Sequence, residues 1–195
     1  MPKYFHFRSQ DTNFDGQLES NRCTCIKLDG TRCRKQVIIG LDYCFIHNKS
    51  QKHLQTKQSN IANAGTGVFA YMNNVDNNHI VFRIGDIICP YNAEIVNDAT
   101  VQARYGNHTA PYALKINRGL VLDGALRRCL GSLINSTTFA RANCSFALNN
   151  RTNTVNIKAI KHIKNGTELL ISYGDAYMLN EAGVNYATNA KRVNI

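Results

Sequence analysis

Apolar and polar residues alternate along much of this chain, in short stretches broken by turn-forming residues. From His79 to Ile88 the alternation predicts two short strands, with Gly85-Asp86 as the turn between them. Tyr112 to Leu122 alternates again, with Leu114 and Ile116 on one side, and predicts a further strand running towards Asp123. Between Thr154 and Tyr173 the apolar set is Val155 and Ile157, then Leu169, Ile171 and Tyr173, with Lys164-Asn165-Gly166 as the turn signal. One stretch changes period. Asp123 to Leu133 places Leu126, Cys129, Leu130 and Leu133 at helical spacing behind an Asp in N-cap position, which predicts a short helix. The polar run Asn135 to Asn143 then ends any period. This pattern belongs to a mainly β protein with short helices.

Two stretches carry no such signal. Residues 1–22 mix aromatic and charged side chains without period and are expected to form an arm, and residues 48–60 are polar enough to be expected as an unpacked linker. At 195 residues the chain holds one medium domain and a small appendage. No apolar run approaches the ~18 residues of a membrane span, and Met1-Pro2-Lys3-Tyr4-Phe5-His6 does not begin a signal peptide, so an intracellular protein with no membrane contact is expected. The formal charge is +10, with ten basic and five acidic groups in residues 1–60 and thirteen and eight in the remainder. Such a field favours an acidic partner, nucleic acid or chromatin first; solvated lysines account for the same count, and no run of consecutive basic residues marks a dedicated arm.

Seven cysteines in a chain without a secretory signal point to thiols or metal ligands rather than disulfides. Cys23, Cys25 and Cys33 precede the pair Cys44-Phe45-Ile46-His47, and Asp29-Gly30 supplies a turn between the first ligands. A segment of ~25 residues cannot bury enough surface to fold unaided, whereas three thiolates and one imidazole around a tetrahedral Zn2+ close it. Spacing alone leaves Cys23 and Cys25 as alternatives for the first ligand. The segment also resembles a small zinc-binding motif of viral and phage proteins, C-x-x-x-T-x-x-G-x-x-C followed by Y-C-x-x-H. In that register Cys23, Cys33, Cys44 and His47 are the ligands of a structural zinc, and Lys27 stands where the motif prefers Thr. Residues 23–47 are the zinc-stabilised module of this reading.

Tyr173 ends an apolar strand and points its phenol into the core, where the hydroxyl needs a partner. A tethered core tyrosine would need no further explanation, but Tyr173 stands in an ordered series. Gly65-Thr66-Gly67 comes first, then Gly85-Asp86-Ile87 with Tyr91 and Glu94, then Asn135, then Asn143, then Glu168-Leu169-Leu170-Ile171-Ser172-Tyr173-Gly174-Asp175-Ala176-Tyr177. In this order the motifs resemble the SET domain of protein lysine methyltransferases over residues 61–178, leaving 179–195 as a tail. The C-terminal half looks closest to the compact SET domains of large DNA viruses and protists. The resemblance implies small twisted sheets with a threaded C-terminal segment. It also implies S-adenosylmethionine as cofactor and a lysine in a basic protein as substrate, a histone first among candidates. For a viral protein it further implies a place in the host nucleus.

The same resemblance assigns residues. Tyr173 is the catalytic tyrosine beside the transferring methyl. Gly65, Thr66 and Gly67 present main chain to the methionine part of the cofactor, where glycine suits the approach of an amide to a charged ligand. Asn135, Ser136 and Tyr173 complete the cofactor contacts, and Tyr91, Ile171 and Tyr177 wall the lysine channel. Ile171 is aliphatic where some relatives use Phe or Tyr to limit methylation, which implies addition of more than one methyl. Ser136 replaces the family's His, Ala142 its Pro and Ala93 its Gly. These departures favour an alternative function, a non-catalytic docking module for chromatin or nucleic acid built on a degenerate SET fold.

Overall fold

The structure is a computed structural model and describes residues 5–8, 15–18, 20–38, 41–62, 64–106, 110, 112–117, 119–173 and 191–192. Strands dominate these residues. In chain order they are β1 (Phe5–Arg8), β2 (Asp15–Leu18), β3 (Ser20–Arg22), β4 (Gln36–Ile38), helix α1 (Phe45–Lys52), β5 (Leu54–Gln58), β6 (Thr66–Ala70), β7 (Ile80–Phe82), β8 (Ile87–Pro90) and β9 (Glu94–Asn97). Helix α2 (Asp98–Tyr105) follows, then β10 (Ala113–Asn117), β11 (Leu120–Asp123), a 3-10 turn (Gly131–Leu133), β12 (Asn135–Ser136), β13 (Cys144–Asn149), β14 (Thr154–Ala159), β15 (Ile163–Lys164), β16 (Leu170–Ile171) and β17 (Lys191–Arg192). Among the described residues no helix is long and apolar enough to cross a membrane.

The predicted strands are present, with two changes of partner. β7 and β8 form on either side of Gly85-Asp86 but do not pair with each other; β7 pairs with β15 and β8 with β14. The stretch from Tyr112 to Leu122 is a hairpin of β10 and β11 rather than one strand, and β9 and β17 flank it. The largest sheet has the order β12-β16-β13-β14-β8. In it β16 lies between β12 and β13 and runs parallel to both, although the loop 137–143 joins those two strands directly. β16 is thus inserted between two strands that precede it in the chain.

Two sequence expectations need correction. The supposed linker 48–60 is most of α1 followed by β5, which pairs antiparallel with β6 along its whole length. Leu54 is completely buried, and the buried Asn48 donates from Nδ2 to the Tyr43 carbonyl at 3.0 Å. One apolar side chain and a ladder of main-chain bonds suffice to order a stretch whose composition is polar throughout. The helix expected over Asp123 to Leu133 is absent. Asp123 ends β11 fully buried, accepting from Arg104 Nη1 at 2.7 Å, from the Tyr105 hydroxyl at 2.9 Å and from the Ala125 amide at 2.9 Å. Its carboxylate therefore caps a tight turn and neutralises a cation, and Gly124 and Gly131 weaken any helix beyond it.

The main core gathers Leu54, Val68, Leu114, Ile134, Ile157 and Ile171 between the sheets, and Tyr173 packs into it. A smaller cluster forms under α2 around Tyr105, Val96 and Val121. A third holds the cysteines of the N-terminal module.

Candidate active site

The loop between β5 and β6 is closed by the Ser59 amide on the Gly65 carbonyl at 2.8 Å, and Gly65 takes φ +67°, a left-handed conformation. Gly67 has a packing reason to be glycine beside the one expected. A Cβ there would run into the Glu168 carboxylate, so the missing side chain makes room for an acid. Glu168 is buried and joins three elements. It accepts from Ser59 Oγ at 2.6 Å, from the Asn60 amide at 2.8 Å and from Asn135 Nδ2 at 3.4 Å. The same Asn135 amide group reaches the Thr66 carbonyl at 3.2 Å. Glu168 opens the motif that runs on to Tyr177 but received no role from the sequence, because its partners Ser59, Asn60 and Asn135 are distant in the chain.

Asn143 pins the inserted strand. Its Nδ2 donates to the Glu168 carbonyl and its Oδ1 accepts from the Leu170 amide, both at 2.8 Å. Opposite it, the Thr137 amide donates to the Ile171 carbonyl at 2.9 Å, and the Tyr173 amide meets Ser136 Oγ at 3.3 Å. Tyr173 follows directly, 7% exposed, and its hydroxyl donates to the Ile134 carbonyl. Phe146 stacks on its ring with centroids 6.5 Å apart, and Tyr91 meets Phe146 edge-on at 6.0 Å. Phe146 was not singled out from the sequence; a single aromatic in an alternating strand looks like any other core residue.

The structure thus brings Gly65, Thr66, Gly67, Asn135, Ser136 and Tyr173 into one neighbourhood linked by hydrogen bonds. Of the expected channel residues, Tyr91 is buried and gives its hydroxyl to the Tyr112 carbonyl at 2.8 Å, burial pushing its phenol well above the usual range. Ile171 is wholly enclosed in the core. Tyr177 lies outside the described residues. A cleft of about 510 Å³ opens against the site, lined by Gly65, Thr66 and Asn135 on one side, by Tyr112 and Arg128 on a second, and by Cys44 and its neighbours on a third. This volume suits a ligand the size of a nucleoside with an amino-acid tail. Its mixed lining of backbone turn, amide side chain, aromatic ring and guanidinium supplies the donor types such a ligand needs.

Cys23, Cys33, Cys44 and His47 form the third wall's anchor. Their four donor atoms lie within 4.8 Å of one another. Bonds of about 2.3 Å to sulfur and about 2.0 Å to nitrogen in a tetrahedral zinc site put those atoms roughly 3.5 Å apart. The Cys23 and Cys44 sulfurs each stand 3.4 Å from His47 Nδ1. The donor set therefore fits zinc. Cys25 stands outside it, its thiol donating to the Ile26 carbonyl at 3.5 Å, so the clustered four are those of the register with Cys23. The Lys35 amide on Cys33 holds that thiol below its ordinary value, whereas burial raises Cys44.

The family model for the SET domain matches residues 18–174. The chain belongs to the SET-domain family. Members of this family are generally protein lysine methyltransferases. The match opens ahead of the four-ligand cluster and takes in residues 48–60, consistent with β5 being part of the sheet that carries the glycine turn. No curated protein matches the sequence. Solved structures share the SET fold at low identity. An active polycomb repressive complex 2 in the stimulated state is 22% identical, with TM-score 0.59 over 85% of this chain and 20% of that chain. ctPRC2 in complex with H3K27me3 and H3K27M is 22% identical, with TM-score 0.55 over 85% of this chain and 18% of that one. ctPRC2 in an autoinhibited conformation bound to S-adenosylmethionine is 24% identical, with TM-score 0.51 over 67% and 17%. The SET-domain chain described here spans about a fifth of the length of these relatives.

Proposed function

We propose that this SET-domain protein transfers a methyl group from S-adenosylmethionine to the side-chain amine of a lysine in another protein. The observation that carries the reading is the buried Tyr173 hydroxyl, fixed on the Ile134 carbonyl, next to the strand whose Asn135 faces the glycine turn. When bound, the cofactor supplies an electrophilic methyl on a positive sulfur. In this reading the main chain of Gly65 and Thr66, with the Asn135 amide, holds it in the cleft. The Tyr173 oxygen, its proton committed to Ile134, accepts an N–H from the incoming amine and so turns the nitrogen lone pair in one direction. A lysine ammonium has a reference pKa near ~10.4, and an apolar neighbour such as the Phe146 ring favours its neutral form. The chain itself then needs no strong base. Ile134 is also the carbonyl that Tyr173 uses, so weak CH···O contacts to the methyl fall to its neighbours in the loop.

A histone is the first substrate to try, because a ctPRC2 relative is seen with H3K27me3 and H3K27M. Zn2+ on Cys23, Cys33, Cys44 and His47 completes the reading as a structural ion that closes the module. The decisive experiment is incubation of the full chain and of Tyr173→Phe with isotopically labelled S-adenosylmethionine and a panel of histones. The wild type is expected to label a histone lysine, and the variant to do so about 100-fold more slowly. Equal labelling by both proteins overturns the role of Tyr173. Calorimetry showing no cofactor binding replaces the enzyme with a docking module, the reading favoured by Ser136 and Ala93.

A further inference from the structure

Charge is uneven along the chain. Residues 20–58 carry eight lysines and arginines against two acids, Asp29 and Asp42. Lys27 takes up Asp29 at 3.0 Å. Arg22 and Arg32 brace the module's own main chain: Arg22 donates to the Cys33 and Arg32 carbonyls, and Arg32 to those of Cys23 and Arg22, each at 2.7 or 2.8 Å. Three of the other cations share a face. Phe45, Lys49 and Lys52 stand at i, i+4 and i+7, and so on one side of α1. Lys35 joins that side from the hairpin, its Nζ 5.3 Å from the centroid of the Phe45 ring. Lys49 lies over the Tyr71 ring at 4.8 Å and Lys52 over that of Tyr43 at 5.7 Å. Among the described residues no carboxylate pairs with any of the three, the ion pairs there belonging to Lys27, Arg104 and Lys115. The C-terminal end of a helix favours cations, which accounts for Lys49 and Lys52. It accounts neither for Lys35 nor for three ammonium groups gathered without an acid.

We propose that this face, Lys35, Lys49 and Lys52 on the outer side of α1, binds the phosphate backbone of double-stranded DNA without reading its sequence. Each phosphate met by a lysine releases a condensed counterion, so ammonium groups with no acid beside them gain from a polyanion what the chain itself does not supply. Lysine is a point charge on a flexible stem and meets a phosphate without geometric matching, whereas the forked arginines here are turned on to main-chain carbonyls. An acidic protein would offer carboxylates, for which forked donors are the better match. The rings decide between duplex and single strand. Single strands are held by bases stacked on aromatic faces, and one face of Phe45, of Tyr71 and of Tyr43 is already covered by an ammonium group. The same contacts hold the lysine stems in place, which lowers the entropy lost when a phosphate arrives. DNA is named over duplex RNA because a histone, the first candidate substrate, is met with DNA wrapped around it; that choice alone rests on the proposed function. Phe45 also lines the cleft, so DNA on this face lies beside it.

The test is fluorescence anisotropy of a labelled DNA duplex of mixed sequence, titrated with the full chain in the absence of cofactor. At about 0.1 M salt the wild type is expected to bind with a Kd of about 10⁻⁴ to 10⁻⁶ M, its log affinity falling linearly with log salt. The triple variant Lys35→Gln, Lys49→Gln, Lys52→Gln is expected to bind about 10-fold or more weakly, with a salt slope shallower by about 3, roughly one for each lysine. A second triple variant, Lys158→Gln, Lys161→Gln, Lys164→Gln, removes the same charge from exposed positions elsewhere and is expected to stay within about threefold of the wild type. Equal losses in the two variants make net charge the cause and overturn the proposal. No binding overturns it as well, and so does tighter binding of the single strand or of duplex RNA. Equal competition by polyglutamate overturns it in favour of an acidic protein partner. If the first triple variant does not fold, Lys52→Gln alone is expected to lower the slope by about 1, and an unchanged slope overturns the proposal. With no cofactor present, a failure of methyl transfer leaves this result intact, and a failure to bind DNA leaves the methyltransferase reading standing.

Discussion

A single methyl added at position 67 would meet the Glu168 carboxylate, whereas at position 65 it would meet nothing within 4 Å but would force a left-handed backbone. The two glycines therefore fail differently. Gly67→Ala is expected to lower stability by about 1–3 kcal/mol through overpacking and, because Glu168 holds Asn135, to weaken cofactor binding as well. Gly65→Ala is expected to cost roughly 1–2 kcal/mol by strain alone. Urea midpoints give the first quantity for each, and calorimetry the second. Loss of stability in Gly67→Ala with unchanged cofactor affinity would sever Glu168 from the site. Ile171 carries a prediction about product. Enclosed and aliphatic, it offers no hydroxyl to hold a partly methylated amine, so mass spectrometry at long reaction times is expected to show di- or trimethyl-lysine. Monomethyl product alone would contradict this. Tyr173 and Asn135 were legible in the sequence because each sits in a motif with fixed neighbours. Glu168, although it opens the same motif as Tyr173, and Phe146 were not, because the partners that give them meaning, Asn135 for one and Tyr173 for the other, lie about thirty positions away.

Among the elements, the N-terminal module depends most on something other than its own burial. Its candidate metal ligands were legible as spacing, and the structure places Cys25 outside their cluster. Cys44→Ala is expected to lose bound zinc while Cys25→Ala keeps one equivalent by mass spectrometry, a contrast that fails if both retain it. Because Cys44 also lines the cleft, chelation is expected to reduce cofactor affinity as well as melting temperature. β5 was invisible in composition, since a strand with one buried apolar residue reads as a linker until its partner is known. Leu54→Ala is expected to destabilise by about 2–5 kcal/mol, whereas a true linker would tolerate it. The missing helix after Asp123 teaches the converse. Helical spacing of four apolar residues was real, but a buried Asp123 bonded to Arg104 and Tyr105 claims the backbone first.

At the scale of the whole molecule, alkaline pH is a condition that acts on the core itself. Burial pushes the Cys144 thiol up to about 12 from an ordinary value of 9.0, and Cys89 moves in the same direction for the same reason. A raised folded value means that the native state keeps its proton where the unfolded chain has lost it. The contribution is thus complete below about pH 9 and is lost as pH climbs towards about pH 12. Melting temperatures are expected to fall across that window, and less steeply in Cys144→Ala; identical slopes would rule out the thiol as the cause. The fold class and the inserted terminal strand were legible as a family pattern, but the assignment of strands to sheets was not, because pairing is decided by segments far apart in the chain. That insertion has a consequence for synthesis. Residues 170 and 171 occupy a slot framed by Asn135–Ser136 and by Cys144, so those two segments cannot close on each other before β16 is made. Tyr173 follows β16 directly, so its hydroxyl reaches the Ile134 carbonyl only with that strand in place.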